Sequence, residues 1–392
     1  MWDELTGQAE AIAVFQAAAA TTHATTAEPH TAEPHTAMTH AWLITGPPGS
    51  GRSNLAYAFA AALLSPGTPE GDAHTVQQVA ARTHPDLAVL STEGVIIKMD
   101  DVKKLVASSQ FSPSVGRYRV VVIEDADRMA ERTSNVLLKA LEEPPPRTVW
   151  ILCAPSEADL LPTIRSRVRS VRLKTPTAAD VAELLVARTG VNADTALQAA
   201  REAQSHIGMA HRLATNAEAR QRRSHTLDIV LTISGVSDAV IAAGSLLELA
   251  GDDAKALTAE RDAEERASAL RSMGIEPGGT IPPALRSQMK ALEEDQKRRA
   301  TRSLRDGIDR ILVDLTSLYR DILLIQLGAG TELVNYTIED RLTAHSAATT
   351  PQRTLLAIDA ITTARKRIDG NVAPLLALEA MLVTATRKDT RP

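Results

Sequence analysis

Through the first 175 residues, short continuous apolar runs alternate with stretches whose apolar positions recur at helical spacing. The runs at 41–44, 87–90, 119–123 and 148–154, with a shorter one at 170–173, predict buried strands. The stretches 54–64, 77–82, 100–109 and 135–143 predict helices, the last stopped by Pro144, Pro145 and Pro146. Such alternation marks parallel βαβ units, so this part of the chain is expected to be α/β. Ahead of it, residues 2–20 read as a turn at Leu5-Thr6-Gly7-Gln8 and a first helix. Residues 21–40 carry the tandem copies Thr26-Ala27-Glu28-Pro29-His30 and Thr31-Ala32-Glu33-Pro34-His35, a polar composition expected to form a mobile loop. His23, His30, His35 and His40 fall there, but without rigid spacing they predict a solvated linker rather than a metal site.

Pro176 marks a boundary. Residues 176–216 have caps at Thr177 and Asp194 and amphipathic runs at 181–187 and 196–203, the pattern of a small helical lid. From 217 to 392 the pattern is helical: 227–249, a charged segment 254–273, a turn at Gly274 to Pro283, and a long segment 284–327. A last helix, 372–384, sets Val372, Leu375, Leu376, Leu378, Met381 and Leu382 on a face wide enough for core or subunit interface. The charged insertion lies at about 250–300; its Glu260, Arg261, Glu264, Glu265 and Arg266 fit a solvated face better than a coiled segment turned to a partner. Lys297, Arg298, Arg299, Arg302 and Arg305 have no interleaved aromatics, so they are expected to balance Glu293, Glu294 and Asp295 rather than bind DNA.

At 392 residues the chain has room for two or three domains, and a 3% aromatic share predicts cores of Ala, Leu, Val and Ile. A net charge of −5 gives no overall attraction for nucleic acid. Cys153 is the sole cysteine, which excludes an internal disulfide framework and points to a reducing, cytoplasmic setting. No leader peptide is read at the N-terminus, and no apolar run approaches the roughly 18 residues of a membrane span.

The candidate chemistry begins at His40-Ala41-Trp42-Leu43-Ile44-Thr45-Gly46-Pro47-Pro48-Gly49-Ser50-Gly51-Arg52-Ser53. Gly46, Gly51 and Ser53 fit the phosphate-binding pattern G-x-x-x-x-G-K-[ST], with Gly49 inside the loop, but Arg52 stands where the Lys belongs. A planar guanidinium does not replace a compact ammonium enclosed by backbone, so phosphate binding is expected to be weakened or lost. The strand at 119–123 ends in Glu124-Asp125, at the edge where an open α/β sheet binds its ligand. Nucleotidases of this kind carry Asp for Mg²⁺ and then Glu for water. The reversed order shifts each carboxylate by a methylene, and about 1 Å can cost on the order of 100-fold. Plainer readings stand beside these: a turn that needs glycine and proline, and acidic residues that cap the next helix.

The Gly-rich loop, the acidic strand end, Leu137-Leu138-Lys139 with Leu141-Glu142-Glu143-Pro144-Pro145, and Thr163-Ile164-Arg165-Ser166-Arg167 together resemble the bacterial clamp-loader branch of the AAA+ proteins. The motifs cover residues 40–175, and the rest agrees in layout. The resemblance implies an α/β AAA+ P-loop domain (1–175), a helical lid (176–216) and an all-α collar domain for oligomerisation (217–392). It makes Arg167, with Ser166, an arginine finger reaching in trans into a neighbouring subunit's ATP site. It leaves Gly46, Gly49, Gly51, Arg52, Ser53, Glu124 and Asp125 as a degenerate nucleotide site of the chain's own, where ATP and Mg²⁺ are not required and would bind weakly. Two further departures agree: Pro155 or Ser156 stands where active relatives sense the γ-phosphate, and His211 stands at the lid's sensing arginine, with Arg212 one step late. The branch's four-cysteine zinc module finds no cysteine in residues 65–82, so no zinc is expected. Implied partners are the clamp-loader ATPase (tau/gamma) and delta subunits in a hetero-pentamer, the sliding clamp indirectly, and primed DNA through the assembled complex, with no membrane. The competing readings are an ATPase active at its own loop and a pure interaction module.

Overall fold

The computed structural model describes residues 2, 5–24, 38–65, 72–92, 95–272 and 286–386. The His-Pro tandem repeat, residues 66–71 of the connection after the first loop helix, and the turn at Gly274 to Pro283 lie outside the described residues. The chain divides into two compact units, 1–214 and 215–392.

In the first unit, α1 (Ala9–Ala24) precedes β1 (Ala41–Thr45), α2 (Arg52–Leu64), α3 (Ala73–Ala80), β2 (Leu87–Leu90), α4 (Met99–Ser109), β3 (Arg119–Ile123), α5 (Glu131–Glu142), β4 (Thr148–Ala154), α6 (Pro162–Arg165) and β5 (Arg169–Arg172). The helix α1 continues to Ala24, into the stretch expected to be loop from residue 21. All five strands form one parallel sheet in the order β2-β3-β4-β1-β5. Every residue of β1 and β4 is buried, as continuous apolar runs require of strands covered on both faces. The alanines of α2 let it approach closely, and Leu55 through Leu64 are all buried. Phe15 of α1, Trp42 of β1 and Phe59 of α2 meet with ring centroids 4.6–5.5 Å apart, a dense plug in an aromatic-poor core. Gln8 ties the N-terminal turn to the end of the sheet: its Nε2 donates to the Lys174 carbonyl at 2.7 Å and its Oε1 accepts from the Lys174 N–H at 3.0 Å.

The same unit holds α7 (Ala178–Thr189), α8 (Ala193–Glu202) and α9 (Ile207–Thr215). Thr177 caps α7 in a reciprocal box with Asp180. The cap of α8 is Asn192, which accepts from the Thr195 N–H at 2.8 Å, rather than the expected Asp194. Asp194 falls inside the first turn, where its charge suits the helix dipole.

The second unit is all helical: α10 (Ala217–Leu231), α11 (Val236–Ser272), α12 (Arg286–Gln326), α13 (Glu339–Ala348), α14 (Pro351–Asp369) and α15 (Pro374–Thr386). The single helix expected over 227–249 is broken, because the Ser234 N–H turns to the Asp238 carboxylate at 3.0 Å and starts a new helix. The charged halves of α11 and α12 pair with each other. Arg299 bonds Asp262 and Glu265, Arg266 reaches Glu293 at 3.1 Å, and Gln296 donates to the Asp262 carbonyl at 2.9 Å. Of the basic cluster, Arg298, Arg299 and Arg302 pair within the chain, with Asp295, Asp262 and Glu265, and Asp306, while Arg305 donates to Asn371 and Glu293 serves Arg266. A buried polar network closes the unit: Arg223 bonds Asp314 at 3.0 Å and Asn335 at 2.6 Å, and Asn335 donates its N–H to Asp321 at 2.7 Å. On α15, Ala377, Leu378, Met381 and Leu382 are core, while Leu375 and Leu376 face outward.

Candidate nucleotide site and finger groove

The five strands run the same way, so the loops after β1, β3 and β4 gather at one edge of the sheet. The loop 46–51 leaves β1 and enters α2; Gly46 donates to the Pro155 carbonyl at 3.2 Å, fastening it to the end of β4. Gly49 and Gly51 both have left-handed backbone (φ 78° and 91°), which only glycine adopts cheaply. Gly49, Gly51, Arg52 and Ser53 open on a cleft of about 380 Å³ whose other wall is Leu184, Leu185, Arg188, His206, Ile207 and His211 of the lid helices and their turns. His206 lies against the loop so closely that a Cβ at Gly49 would sit 2.4 Å from its ring. Its Nδ1 accepts from the Met209 N–H at 3.2 Å, which fixes the ring at the head of α9.

Two polar atoms of the loop, Ser50 Oγ and Arg52 Nη1, are buried with no hydrogen-bond partner among the described residues. Of the two residues only Arg52 lines the cleft, where a buried donor without a partner fits an anion. The acidic edge does not fit metal-assisted cleavage equally well. Glu124 Oε1 accepts from the Tyr57 hydroxyl and pairs with Arg82 Nη2 at 2.8 Å, while the Arg82 guanidinium lies 5.2 Å from the Tyr57 ring centroid. Burial, and then the bond to Glu124, push the Tyr57 hydroxyl far above its ordinary value, so it stays a donor. The first acidic residue is therefore neutralised by its own fold. Asp125 begins the single turn 126–128, and beyond it burial raises the Asp127 carboxyl, with Asp125 adding and Arg128 and Arg52 opposing. Pro155 offers only its carbonyl, already used by Gly46. Ser156 caps the turn 157–159, accepting from the Ala158 N–H at 3.2 Å. His211 reaches the cleft lining and Arg212 does not. Among the described residues no group of three or more His, Cys, Asp or Glu is placed to hold a metal ion.

Ser166 and Arg167 lie elsewhere. They precede β5, at the opposite edge of the parallel sheet from the loop, in an open groove with Thr39, His40, Leu141, Glu142 and Arg169. The five residues of β1 alone span about 16 Å between those edges. Arg167 Nε donates to Glu142 Oε1 at 2.7 Å, and Nη1 donates to the Thr163 carbonyl at 2.8 Å and to Ser166 Oγ at 3.0 Å. His40 Nε2 meets the Leu141 carbonyl at 2.8 Å alongside. The spacing of motifs brought together Gly46, Gly49, Gly51, Arg52, Ser53, Glu124 and Asp125. It missed Tyr57, Arg82, Arg188 and His206, none of which stands in a recognisable pattern. Arg82 alone leaves a local trace, as a non-glycine residue with left-handed backbone after α3 (φ 58°).

Residues 28–177 match the family described as "DNA polymerase III, delta subunit". That match takes in well under half of the chain. The delta' subunit of DNA polymerase III from Pseudomonas aeruginosa is 40% identical over 134 residues, covering 33% of this chain and 41% of that protein. The delta' subunit from Haemophilus influenzae is 35% identical over 159 residues, covering 39% of this chain and 48% of that protein. The tau/gamma subunit of the same species is 29% identical over 208 residues, covering 51% of this chain and 30% of that one. The chain thus spans under half the length of the delta' relatives it matches. A gamma-subunit-related protein from Thermotoga maritima covers 88% of this chain and 93% of its own at 16% identity, with a TM-score of 0.39. Among the described residues no helix is long and apolar enough to cross a membrane.

Proposed function

We propose that this protein is the delta prime subunit of a DNA polymerase III clamp loader, a non-hydrolysing AAA+ subunit that lends Arg167 to a neighbouring ATPase subunit as the sliding clamp is set on primed DNA. One observation carries the reading. Arg167 stands on the far edge of the sheet from the chain's own phosphate loop, so its guanidinium is out of reach of any phosphate held there and lines an open groove of its own. An arginine delivered this way stabilises charge on the transferring phosphoryl group and can contribute roughly 10³–10⁵ in rate.

The state of the loop supports the other half. Arg52 suits an anion, so a nucleotide in the cleft is held rather than cleaved, weakly and without being required; Glu124 is taken by Tyr57 and Arg82. The tau/gamma and delta subunits are the partners in a hetero-pentamer, built through the helical unit 215–392, whose α15 exposes Leu375 and Leu376. The protein works in the cytoplasm as part of the polymerase holoenzyme. The test has two arms. The isolated protein is expected to show no ATP turnover above background, and clear turnover would establish the competing ATPase reading. In a reconstituted loader, Arg167→Ala should lower DNA-stimulated hydrolysis at least tenfold, toward about 10³ for the single site; an unchanged rate would remove the finger.

A further inference from the structure

The guanidinium of Arg167 is not presented bare. Its Nε and Nη2 both bond Glu142 Oε1, the former at 2.7 Å, and its Nη1 is shared between the Thr163 carbonyl and Ser166 Oγ. The Nε–Nη2 edge is the one that meets an oxyanion with two parallel N–H bonds, so Glu142 occupies the face a phosphate would use. The position of Glu142 is costly in itself. It is the last residue of α5, where the carbonyl end of the helix disfavours a negative charge by about 0.3–1 kcal/mol. Arg167 offsets that cost, and it also donates to a carbonyl of α6, so one guanidinium bridges the ends of two helices. Both side chains are about half exposed (33% and 46%), and the pair lines an open groove between Thr39, His40 and Arg169. An ion pair so exposed is worth no more than about 1 kcal/mol, firm enough to bias a side chain and weak enough to yield to a multiply charged phosphate.

We infer that Glu142 is an intrachain latch on Arg167: it holds the guanidinium folded onto its own subunit and releases it when a partner's phosphate competes for the same edge. The inference rests on the reading of Arg167 as a finger. It adds that the idle state is built into this chain, and that the resting rate of the neighbouring site is set in part by residue 142.

The experiment uses the reconstituted loader with Glu142→Gln, which keeps the side chain's size and a carbonyl acceptor but removes the charge, and with Glu142→Ala. Both are expected to raise ATP hydrolysis without DNA about two- to fivefold, the factor corresponding to an exposed ion pair. The rate with primed DNA should change less, because the latch is then already open. Pairing either change with Arg167→Ala should return the rate to that of Arg167→Ala alone. If Arg167→Ala by itself lowers hydrolysis while both Glu142 variants leave the DNA-free rate unchanged or reduce it, the latch is wrong and the finger stands. If Arg167→Ala has no effect, the finger reading has failed and the latch with it. A Glu142 effect that persists in the double variant would show that residue 142 acts by another route, and would overturn the inference.

Discussion

Asp86 shows how many backbone groups of a distant loop a single side chain can satisfy. It is fully buried and accepts from the N–H groups of Ser114 (2.6 Å), Val115 (2.7 Å) and Gly116 (2.6 Å), and from Ser114 Oγ (2.8 Å). Burial alone would raise its carboxyl, but the bonds from Gly116, Ser114 and Val115 outweigh it and hold it below the ordinary aspartate range. A depressed folded value means the stabilisation is complete above the unfolded aspartate value, about 3.9, and is lost as pH falls through the folded one. Asp86→Asn should therefore destabilise the first unit by about 3 kcal/mol at neutral pH and flatten its loss of stability in acid, both read from urea unfolding across pH. The turn His84-Pro85-Asp86 falls between the helix expected over 77–82 and the strand over 87–90, but its acidic member's partners lie about thirty residues on, in a loop with no motif. Longer separations, of 67 and 42 residues, hid Tyr57 and Arg82 behind Glu124. Residues that stand in fixed patterns, such as Gly46 and Gly51, could be placed in the loop directly; those that meet across the fold could not.

Strands were the most legible elements, because a run buried on both faces leaves no polar position to confuse its limits; β2, β3 and β4 begin and end where the apolar runs do. Helices were less so. Local side-chain bonding decided the cap of α8 and the break between α10 and α11, and either could be set by several Ser, Asn or Asp residues nearby. The head of α9 went unread altogether, although its His206 leans on the phosphate loop. That contact makes a prediction for the pairing of loop and lid. Gly49→Ala should lower stability by roughly 1–3 kcal/mol, from left-handed backbone together with collision against the imidazole. Adding His206→Ala should recover the collision and leave about 1 kcal/mol for the backbone. Thermal unfolding of the single and double variants measures this, and simple additivity would mean that the ring does not press on the loop.

Among the described residues, the hydrophobic clusters around α2 and the sheet draw on residues 2 to 173, and the helical one on residues 227 to 385. Separate cores predict separable unfolding. Asn335→Ala, which strips partners from buried Arg223 and Asp321, should lower one calorimetric transition by several degrees and leave the other in place, while Asp86→Asn does the reverse. The sheet order has a consequence for the making of the protein. Strand β1 lies between β4 and β5, and Ala41 pairs with Trp150, more than a hundred residues later in the chain. At roughly 5–20 residues per second the strand that carries the phosphate loop leaves the ribosome on the order of ten seconds before its neighbour exists. During that interval Trp42, Leu43 and Ile44 are an unpaired apolar segment, a natural client for a chaperone. Nascent chains halted before residue 148 should be protease-sensitive throughout, and chains halted far enough beyond residue 172 to clear the exit tunnel should become resistant in one step.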